Sequence, residues 1–263
     1  MMDLTQLMHA AEEILREDGE RILAMKGPEV FTKEGHANFV TSADLESQRF
    51  LVERLTPLLP GANFFAEEKE DNALAPGFNW LIDPIDGTTN FMRGYRHSAI
   101  SVGLVQDGRG VMGLVYNPYS GELFSALRGA GAWCSGVPIH AAQVPPEEAL
   151  VVFGTAPYYR ELVDGTMSVI RSLYFSCGDL RRSGSAALDL CYVAAGRADG
   201  FFEARLSPWD YAAASVVVEE AGGLISSLPP LALDFQSKTP VIAGSPAVYG
   251  TVLAAAQAAE GLL

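Results

Sequence analysis

Trp80-Leu81-Ile82-Asp83-Pro84-Ile85-Asp86-Gly87-Thr88-Thr89-Asn90-Phe91 runs from an apolar triplet into a knot of turn residues. The triplet has the character of a buried strand. Pro84 has a fixed φ and no N–H to give a sheet, which predicts that the strand stops near Asp83. Two carboxylates stand three positions apart with the proline between them. Gly87 lets a ligand come close to the backbone, and Thr88 or Thr89 suits the cap of a following helix. A strand end, two acids, exposed N–H groups and a hydroxyl suit a divalent cation and a phosphate together. Asp-Pro and Asp-Gly pairs are also ordinary turn chemistry, so the stretch counts as a site only if the rest of the chain supplies partners.

The chain has 263 residues, 49% of them hydrophobic and 19% charged. That is globular, with enough length for one large domain or two intimately packed halves. No apolar run reaches the length of a membrane span. Met1-Met2-Asp3-Leu4-Thr5-Gln6 lacks the basic start and apolar block of a signal peptide, so a cytoplasmic protein is expected. Cys134, Cys177 and Cys191 are odd in number and form no C-x-x-C pair, which fits reduced core thiols. A net charge of −14 argues against a nucleic-acid-binding surface. It does not argue against a phosphorylated substrate, because bound divalent cations invert the local field.

Residues 3–25 read as an amphipathic helix with Asp3 and Gln6 as a capping box. Residues 31–40, with Lys33, Gly35 and Asn38, read as an exposed loop. A second helix follows from Thr41 or Ser42 to Leu59, then a short strand from Asn63 to Ala66. Ser98–Val105 and Val111–Tyr116 form a hairpin through Asp107-Gly108, with further strands at Glu122–Leu127 and near Ala132-Trp133. Pro145-Pro146-Glu147-Glu148 marks a boundary, giving lobes 1–145 and 146–263 in one structural unit. Beyond it the pattern predicts strand 149–153, helix 158–172, strand 173–176, helix 185–195, strand 200–203, helix 208–221, strand 241–243 and helix 246–259. Strands and helices in layers make this a mixed α+β chain.

Several motifs lead nowhere. Gly108-Arg109-Gly110-Val111-Met112-Gly113 matches G-x-G-x-x-G, but a strand follows it instead of a helix. A calcium loop starting at Asp83 would need a glutamate where Gly94 stands. An aspartyl-nucleophile phosphatase would carry acids two apart, and Pro84 occupies that place. His9, His36, His97 and His140 are scattered, with no metal-binding or triad spacing.

Further acids sit at element ends, where distant segments can meet. Asp44 in Thr41-Ser42-Ala43-Asp44 and Asp210 in Ser207-Pro208-Trp209-Asp210 both fit S/T-x-x-D capping, and Glu67-Glu68 fits a solvated turn. Trp80–Phe91 resembles the first signature of the inositol monophosphatase family. Ser207-Pro208-Trp209-Asp210-Tyr211-Ala212-Ala213-Ala214 resembles its second, with the W-D-x-A-A core intact. Phe39–Asp44, Ala66-Glu67-Glu68 and Gly184-Ser185-Ala186 fall in order where that family has its other site segments.

The resemblance implies a layered α-β-α-β-α sandwich of the inositol monophosphatase and fructose-1,6-bisphosphatase type, working as a Mg²⁺-dependent phosphomonoesterase. It implies that Glu67, Asp83 and the carbonyl of Ile85 hold one Mg²⁺, and that Asp83, Asp86 and Asp210 hold a second. A weaker third ion is implied near Glu67. Thr88 and Asp44 would orient the attacking water, with Glu67 acting through the metal, and the N–H groups of Gly87 and Thr88 would seat the phosphate. Ser185, Glu203 and Asp210 would face the substrate. In inositol-type members of the family a glutamate at the place of Glu203 accepts hydrogen bonds from ring hydroxyls. A carboxylate there suits a neutral polyol, which favours myo-inositol 1-phosphate, with Arg205 a complication close by. Relatives acting on fructose 1,6-bisphosphate, histidinol phosphate or adenosine 3′,5′-bisphosphate remain alternatives, as does a silent regulatory subunit. Lys33 would lie in a segment closing over the metals. A homodimer, lithium sensitivity, and no nucleic-acid or membrane partner are further expectations.

Overall fold

The computed structural model describes residues 3–25, 27–33 and 39–263. Helix α1 (Leu4–Ala24) buries the predicted stripe of Leu7, Ala11, Ile14, Leu15 and Ile22, and Asp3 caps it through the N–H of Thr5 with no box to Gln6. Strands β1 (Val30–Thr32) and β2 (Phe39–Thr41) pair antiparallel where the sequence reads as loop. Their β-branched and aromatic residues favour the pairing over the sparse turn signals. Gly35, His36 and Asn38 lie outside the described residues. Helix α2 (Ser42–Leu55) follows, four residues shorter at its C-terminus than predicted.

The first sheet has seven strands: β3 (Asn63–Ala66), β4 (Phe78–Asp86), β5 (Ala99–Gln106), β6 (Arg109–Asn117), β7 (Glu122–Leu127), β8 (Gly131–Cys134) and β9 (Val137–Pro138), adjacent in chain order. A short helix, α3 (Thr88–Met92), follows β4. All pairs are antiparallel except β3–β4. Asp107 and Gly108 both have positive φ at the predicted hairpin turn, as a two-residue type I′ connection requires.

The second half supplies β10 (Leu150–Phe153), α4 (Val163–Ser176), β11 (Asp179–Arg181), α5 (Ala186–Ala194), β12 (Gly200–Leu206), α6 (Pro208–Glu220), β13 (Leu224–Ser226), β14 (Thr239–Gly244) and α7 (Tyr249–Ala258). The strands form a mixed sheet in the order β11-β10-β12-β14-β13. The strand expected at 173–176 is instead the last turn of α4. Leu173 continues the buried stripe of Val169 at helical spacing, and the edge strand forms three residues later.

The result is five layers. Helices α1 and α2 cover the outer face of the seven-stranded sheet, α5 and α6 lie between the two sheets, and α4 and α7 cover the outer face of the five-stranded sheet. The central layer is buried nearly all round, and its apolar residues join those of both sheets in one core. Helix α6 comes unusually close to the sheet. Gly103 and Gly113 face each other across β5 and β6. A Cβ on Gly103 would lie 3.0 Å from the Ala213 nitrogen, and one on Gly113 would overlap the Ala213 carbonyl. These glycines, with Ala212 and Ala213 above them, let the helix backbone rest on the strands. The third glycine of the misleading G-x-G-x-x-G is therefore a packing residue.

Candidate active site

Strand β4 does not stop at Asp83. It continues to Asp86 through an irregularity: Asp83 pairs with Ser101 and Asp86 with Ala99, so β4 takes three steps where β5 takes two. Pro84 falls in this bulge, and bulges are where the missing N–H of a proline is tolerated and side chains are re-aimed. The turn then closes on Gly87, at φ 88°, which caps α3. A side chain at Gly87 would press on the Gly184 carbonyl, 3.0 Å away, so the glycine serves both the turn and the approach of the second half.

Four of the acids, Asp44, Asp83, Asp86 and Asp210, are each fixed by a backbone N–H. Asp83 Oδ1 accepts from the Ile85 N–H at 3.0 Å. Asp86 Oδ2 accepts from the Ala187 N–H at 2.8 Å and from the Ser185 hydroxyl, so the N-terminus of α5 points at a carboxylate from the other sheet. Asp210 Oδ2 accepts from the Ser207 N–H at 2.7 Å in a capping box on α6. Asp44 Oδ2 closes the equivalent box on α2 with Thr41, at 2.8 Å to nitrogen and 2.6 Å to Oγ1, and its Oδ1 accepts from Thr88 Oγ1 at 3.3 Å. Thr88 Oγ1 also lies 3.3 Å from the Ile85 carbonyl. The capping reading of Asp44 and Asp210 holds as local geometry, and the site reading does not compete with it.

These groups line one cavity of about 710 Å³, with Glu67, Asp83, Ile85, Asp86, Gly87, Thr88, Ser185, Glu203 and Asp210 on its walls. Asp44 reaches it through Thr88. Burial and the neighbouring Glu67, Asp86 and Asp210 hold the Asp83 carboxyl well above the ordinary range. Burial, then Asp86 and Glu67, do the same to Asp210. Asp86 is pushed up to about 6 by burial, against the pull of its Ser185 and α5 donors. Glu67 rises to about 7 through removal from bulk water, opposed by Lys33 and reinforced by Glu68 and Asp44. Lys33 Nζ lies 3.1 Å from Glu67 Oε1 and also bridges to Glu68. Burial alone would lower this ammonium, but the two glutamates outweigh it and hold its pKa up.

The donor set is all oxygen and mostly carboxylate, which fits a hard divalent cation, and the mutual repulsion of the acids is what such a cation relieves. Among the described residues no three of the acids already stand together as a ligand shell. They line the cavity from separate walls.

Glu203, on β12, is buried and raised to about 7, chiefly by burial. Its Oε1 accepts from the Ala156 N–H at 2.9 Å, and it packs directly on Gly154, where any side chain would overlap the carboxylate. Ser185 is buried with its hydroxyl proton directed at Asp86, so its observed contact is with an acid of the site. Sequence reasoning missed Asp189, Arg182, Tyr158, Tyr159 and Lys238, all on the cavity wall. Asp189 follows the Ser185 cap by four residues, a spacing that places it on the first turn of α5 and was readable. The others sit in irregular segments whose meeting point no local pattern encodes.

Cys134, Cys177 and Cys191 are all free thiols. No helix among the described residues is long and apolar enough to cross a membrane.

A model of the inositol monophosphatase family matches residues 3–260. The Nus factor SuhB of Vibrio cholerae is 36% identical over 220 residues, covering 82% of this chain and 81% of its own. The inositol-1-monophosphatase of Bacillus subtilis is 33% identical over 256 residues, covering 96% and 97%. The solved inositol monophosphatase of Anabaena (Nostoc) sp. PCC 7120 superposes with a TM-score of 0.86 at 29% identity, covering 98% of this chain and 97% of that one.

Proposed function

This chain belongs to the inositol monophosphatase family, and from that premise we propose that it is a Mg²⁺-dependent phosphomonoesterase acting on a phosphorylated polyol such as myo-inositol 1-phosphate. One observation carries the reading: four acids, Glu67 just after β3, Asp83 and Asp86 of β4 and Asp210 of α6, line a single cavity with their carboxyls held up by burial and, in Glu67, Asp83 and Asp210, by neighbouring acids. Buried like charges are costly to retain without a counter-ion.

We assign Glu67, Asp83 and the Ile85 carbonyl to one Mg²⁺, Asp83, Asp86 and Asp210 to a second, and the neighbourhood of Glu67 to a weaker third. Bound Mg²⁺ supplies neutralisation of the phosphate dianion and a more acidic water. The N–H groups of Gly87 and Thr88 seat the phosphate oxygens. Thr88 Oγ1, hydrogen-bonded to Asp44, orients the attacking water, and Asp44 fixes the direction of that hydroxyl. Glu67 would act on that water through the bound metal, which relieves the burial and repulsion that otherwise hold its carboxyl up. On the alcohol side Glu203 has Oε1 held by Ala156, leaving Oε2 for polyol hydroxyls. Ser185 steadies Asp86 at the same wall. The two lobes, 1–145 and 146–263, act as one unit because Asp86 from the first is held by α5 of the second. A cytoplasmic homodimer, inhibited by lithium, completes the proposal.

A relative named as a Nus factor supports a second reading, in which the chain is a catalytically silent binding subunit. Phosphate release by the purified protein separates the two. The expected result is Mg²⁺-dependent hydrolysis of myo-inositol 1-phosphate, abolished by chelation. A panel with fructose 1,6-bisphosphate, histidinol phosphate and adenosine 3′,5′-bisphosphate tests the alcohol, and a strong preference for either of the last two sinks the polyol assignment. No turnover of any of the four leaves the binding-subunit reading.

A further inference from the structure

The turn that leads out of β10 is strained. Ala156 is buried at φ 40°, in the left-handed region that a residue with a Cβ enters only at a cost. It also precedes Pro157, which narrows its backbone choices further. Two bonds hold it there: its N–H donates to Glu203 Oε1 at 2.9 Å, and its carbonyl accepts from the Tyr159 N–H at 2.9 Å. Pro157 then fixes its own φ, and Tyr158 comes next, on the wall of the cavity. Strain kept in place by its surroundings in this way clusters at functional sites.

Packing does not account for the Tyr158 side chain. Among the described residues its ring joins no apolar cluster, whereas the neighbouring Tyr159 packs against the cluster under α4 and α7. Its hydroxyl makes no hydrogen bond to those residues, and 45% of the residue's surface is open. What the phenol meets is charge. Removal from bulk water, then Glu67, Asp210, Asp83 and Asp86 in that order, hold its proton on, above the ordinary tyrosine range. These are the four acids assigned to Mg²⁺, and they line the same cavity. Glu203, at the alcohol end, is not among the charges that act most strongly on it. A neutral phenol has one O–H to donate. A phosphate ester seated on the Gly87 and Thr88 N–H groups lies over the same acids, so its oxygens are the acceptors that the reaction brings to that O–H.

We propose that Tyr158 is a further catalytic residue, its hydroxyl donating a hydrogen bond from the second lobe to a nonbridging oxygen of the phosphoryl group. This rests on the phosphomonoesterase reading above and adds a donor to it. The transferred group spreads its charge over its oxygens in the transition state, and a donor already fixed in place stabilises that charge. A neutral donor does so without competing with Mg²⁺ for the carboxylates. No proton changes hands. The bond is made to the group that all substrates share, so it does not depend on which alcohol leaves.

The test takes two esters with unlike alcohols, myo-inositol 1-phosphate and glycerol 2-phosphate, under saturating Mg²⁺, and the variant Tyr158→Phe, which keeps the ring and loses the O–H. Its kcat/KM should fall about tenfold for both esters, as expected for a lost hydrogen bond to a charged group. Calorimetric titration with inorganic phosphate in the presence of Mg²⁺ should show Kd raised by a similar factor, because phosphate presents the same oxygens. Tyr158→Ala should lose little more than Tyr158→Phe. Full kcat/KM in Tyr158→Phe with a fall only in Tyr158→Ala makes the ring a packing surface and overturns the proposal. A loss confined to the inositol ester, which puts the contact on the alcohol, or an unaltered phosphate Kd also overturns it. Mg²⁺-dependent hydrolysis of neither ester by the unmodified protein overturns the phosphatase reading and this role with it.

Discussion

Replacing Asp18 by asparagine should reverse sign in its effect on stability across the acidic pH range. Asp18 lies in α1 with 0% exposure. Its Oδ2 accepts from Ser47 Oγ of α2 at 2.5 Å, while Oδ1 has no hydrogen-bond partner and only Arg21 Nε at 4.0 Å. Burial raises its carboxyl to about 6 from 3.8, despite the Ser47 bond and Arg21. The folded state therefore binds the proton more tightly than the unfolded chain. Stability is lost as pH rises through 3.8 to 6, with the full loss, about 3 kcal/mol, in place above that window. Asparagine does not titrate, and its carbonyl still accepts from Ser47. Its amide N–H₂ replaces the unpartnered oxygen as a buried donor, which costs about 1–3 kcal/mol at every pH. Near pH 4 the variant should be the less stable protein. By pH 7.5 the difference should have moved in its favour by about 2.5 kcal/mol. Urea unfolding followed by circular dichroism in Mg²⁺-free buffer with chelator measures this, and the site acids cancel because both proteins carry them. A difference curve flat to within about 0.5 kcal/mol over that range would refute the burial argument.

Asp83→Asn and Asp210→Asn should each abolish Mg²⁺-dependent phosphate release while leaving the circular dichroism spectrum unchanged; near wild-type turnover at saturating Mg²⁺ in either would remove the metal assignment. Gly113→Ala forces a methyl into the Ala213 carbonyl and should destabilise the fold by about 1–3 kcal/mol, read as a lowered urea midpoint; an unchanged midpoint would mean that α6 can lift off its glycine bed. Gly154→Ala drives a methyl into the Glu203 carboxylate and should raise KM for myo-inositol 1-phosphate about tenfold with less effect on kcat, and a selective fall in kcat would place Glu203 elsewhere in the reaction.

The layered fold was legible because each layer writes its own period. Leu7, Ala11, Ile14 and Ile22 mark α1, and Asp107-Gly108 marks the central hairpin. The family's five-layer order came from the two signatures, since periodicity alone does not say which faces meet. Three local readings failed for separate reasons. Pro84 reads locally as a strand terminator, but a bulge absorbs it and the strand continues. Residues 173–176 look like a strand in isolation, yet Leu173 completes a helical stripe whose earlier members lie a turn before. The pairing of Val30–Thr32 with Phe39–Thr41 is a tertiary matter that short segments do not announce. At the site, the acids at element ends were visible one by one. Tyr159 and Lys238 on the cavity wall were not, because they come from separate irregular segments and share no motif.

Capping and ligand binding looked like rival explanations of Asp44 and Asp210, and the geometry makes them parts of one device. In each acid of the site's floor, one oxygen takes the structural bonds: Oδ2 in Asp44, Asp86 and Asp210, and Oδ1 in Asp83. A carboxylate so held has its plane and rotamer set before any ligand arrives, which removes an ordering cost from binding. The donors are helix N-terminal or turn N–H groups, which also offset part of the charge that burial penalises. In Asp44 the second oxygen already carries the hydroxyl of Thr88, the group assigned to the attacking water. The same logic explains why the site needs both sheets. Asp86 is held by α5 and Asp210 by the start of α6, and both helices sit in the layer that the two sheets share. The paired glycines that let α6 touch β5 and β6 therefore set the depth at which Asp210 meets Asp83. Packing chemistry some distance from the acids thus fixes how closely their charges are brought together.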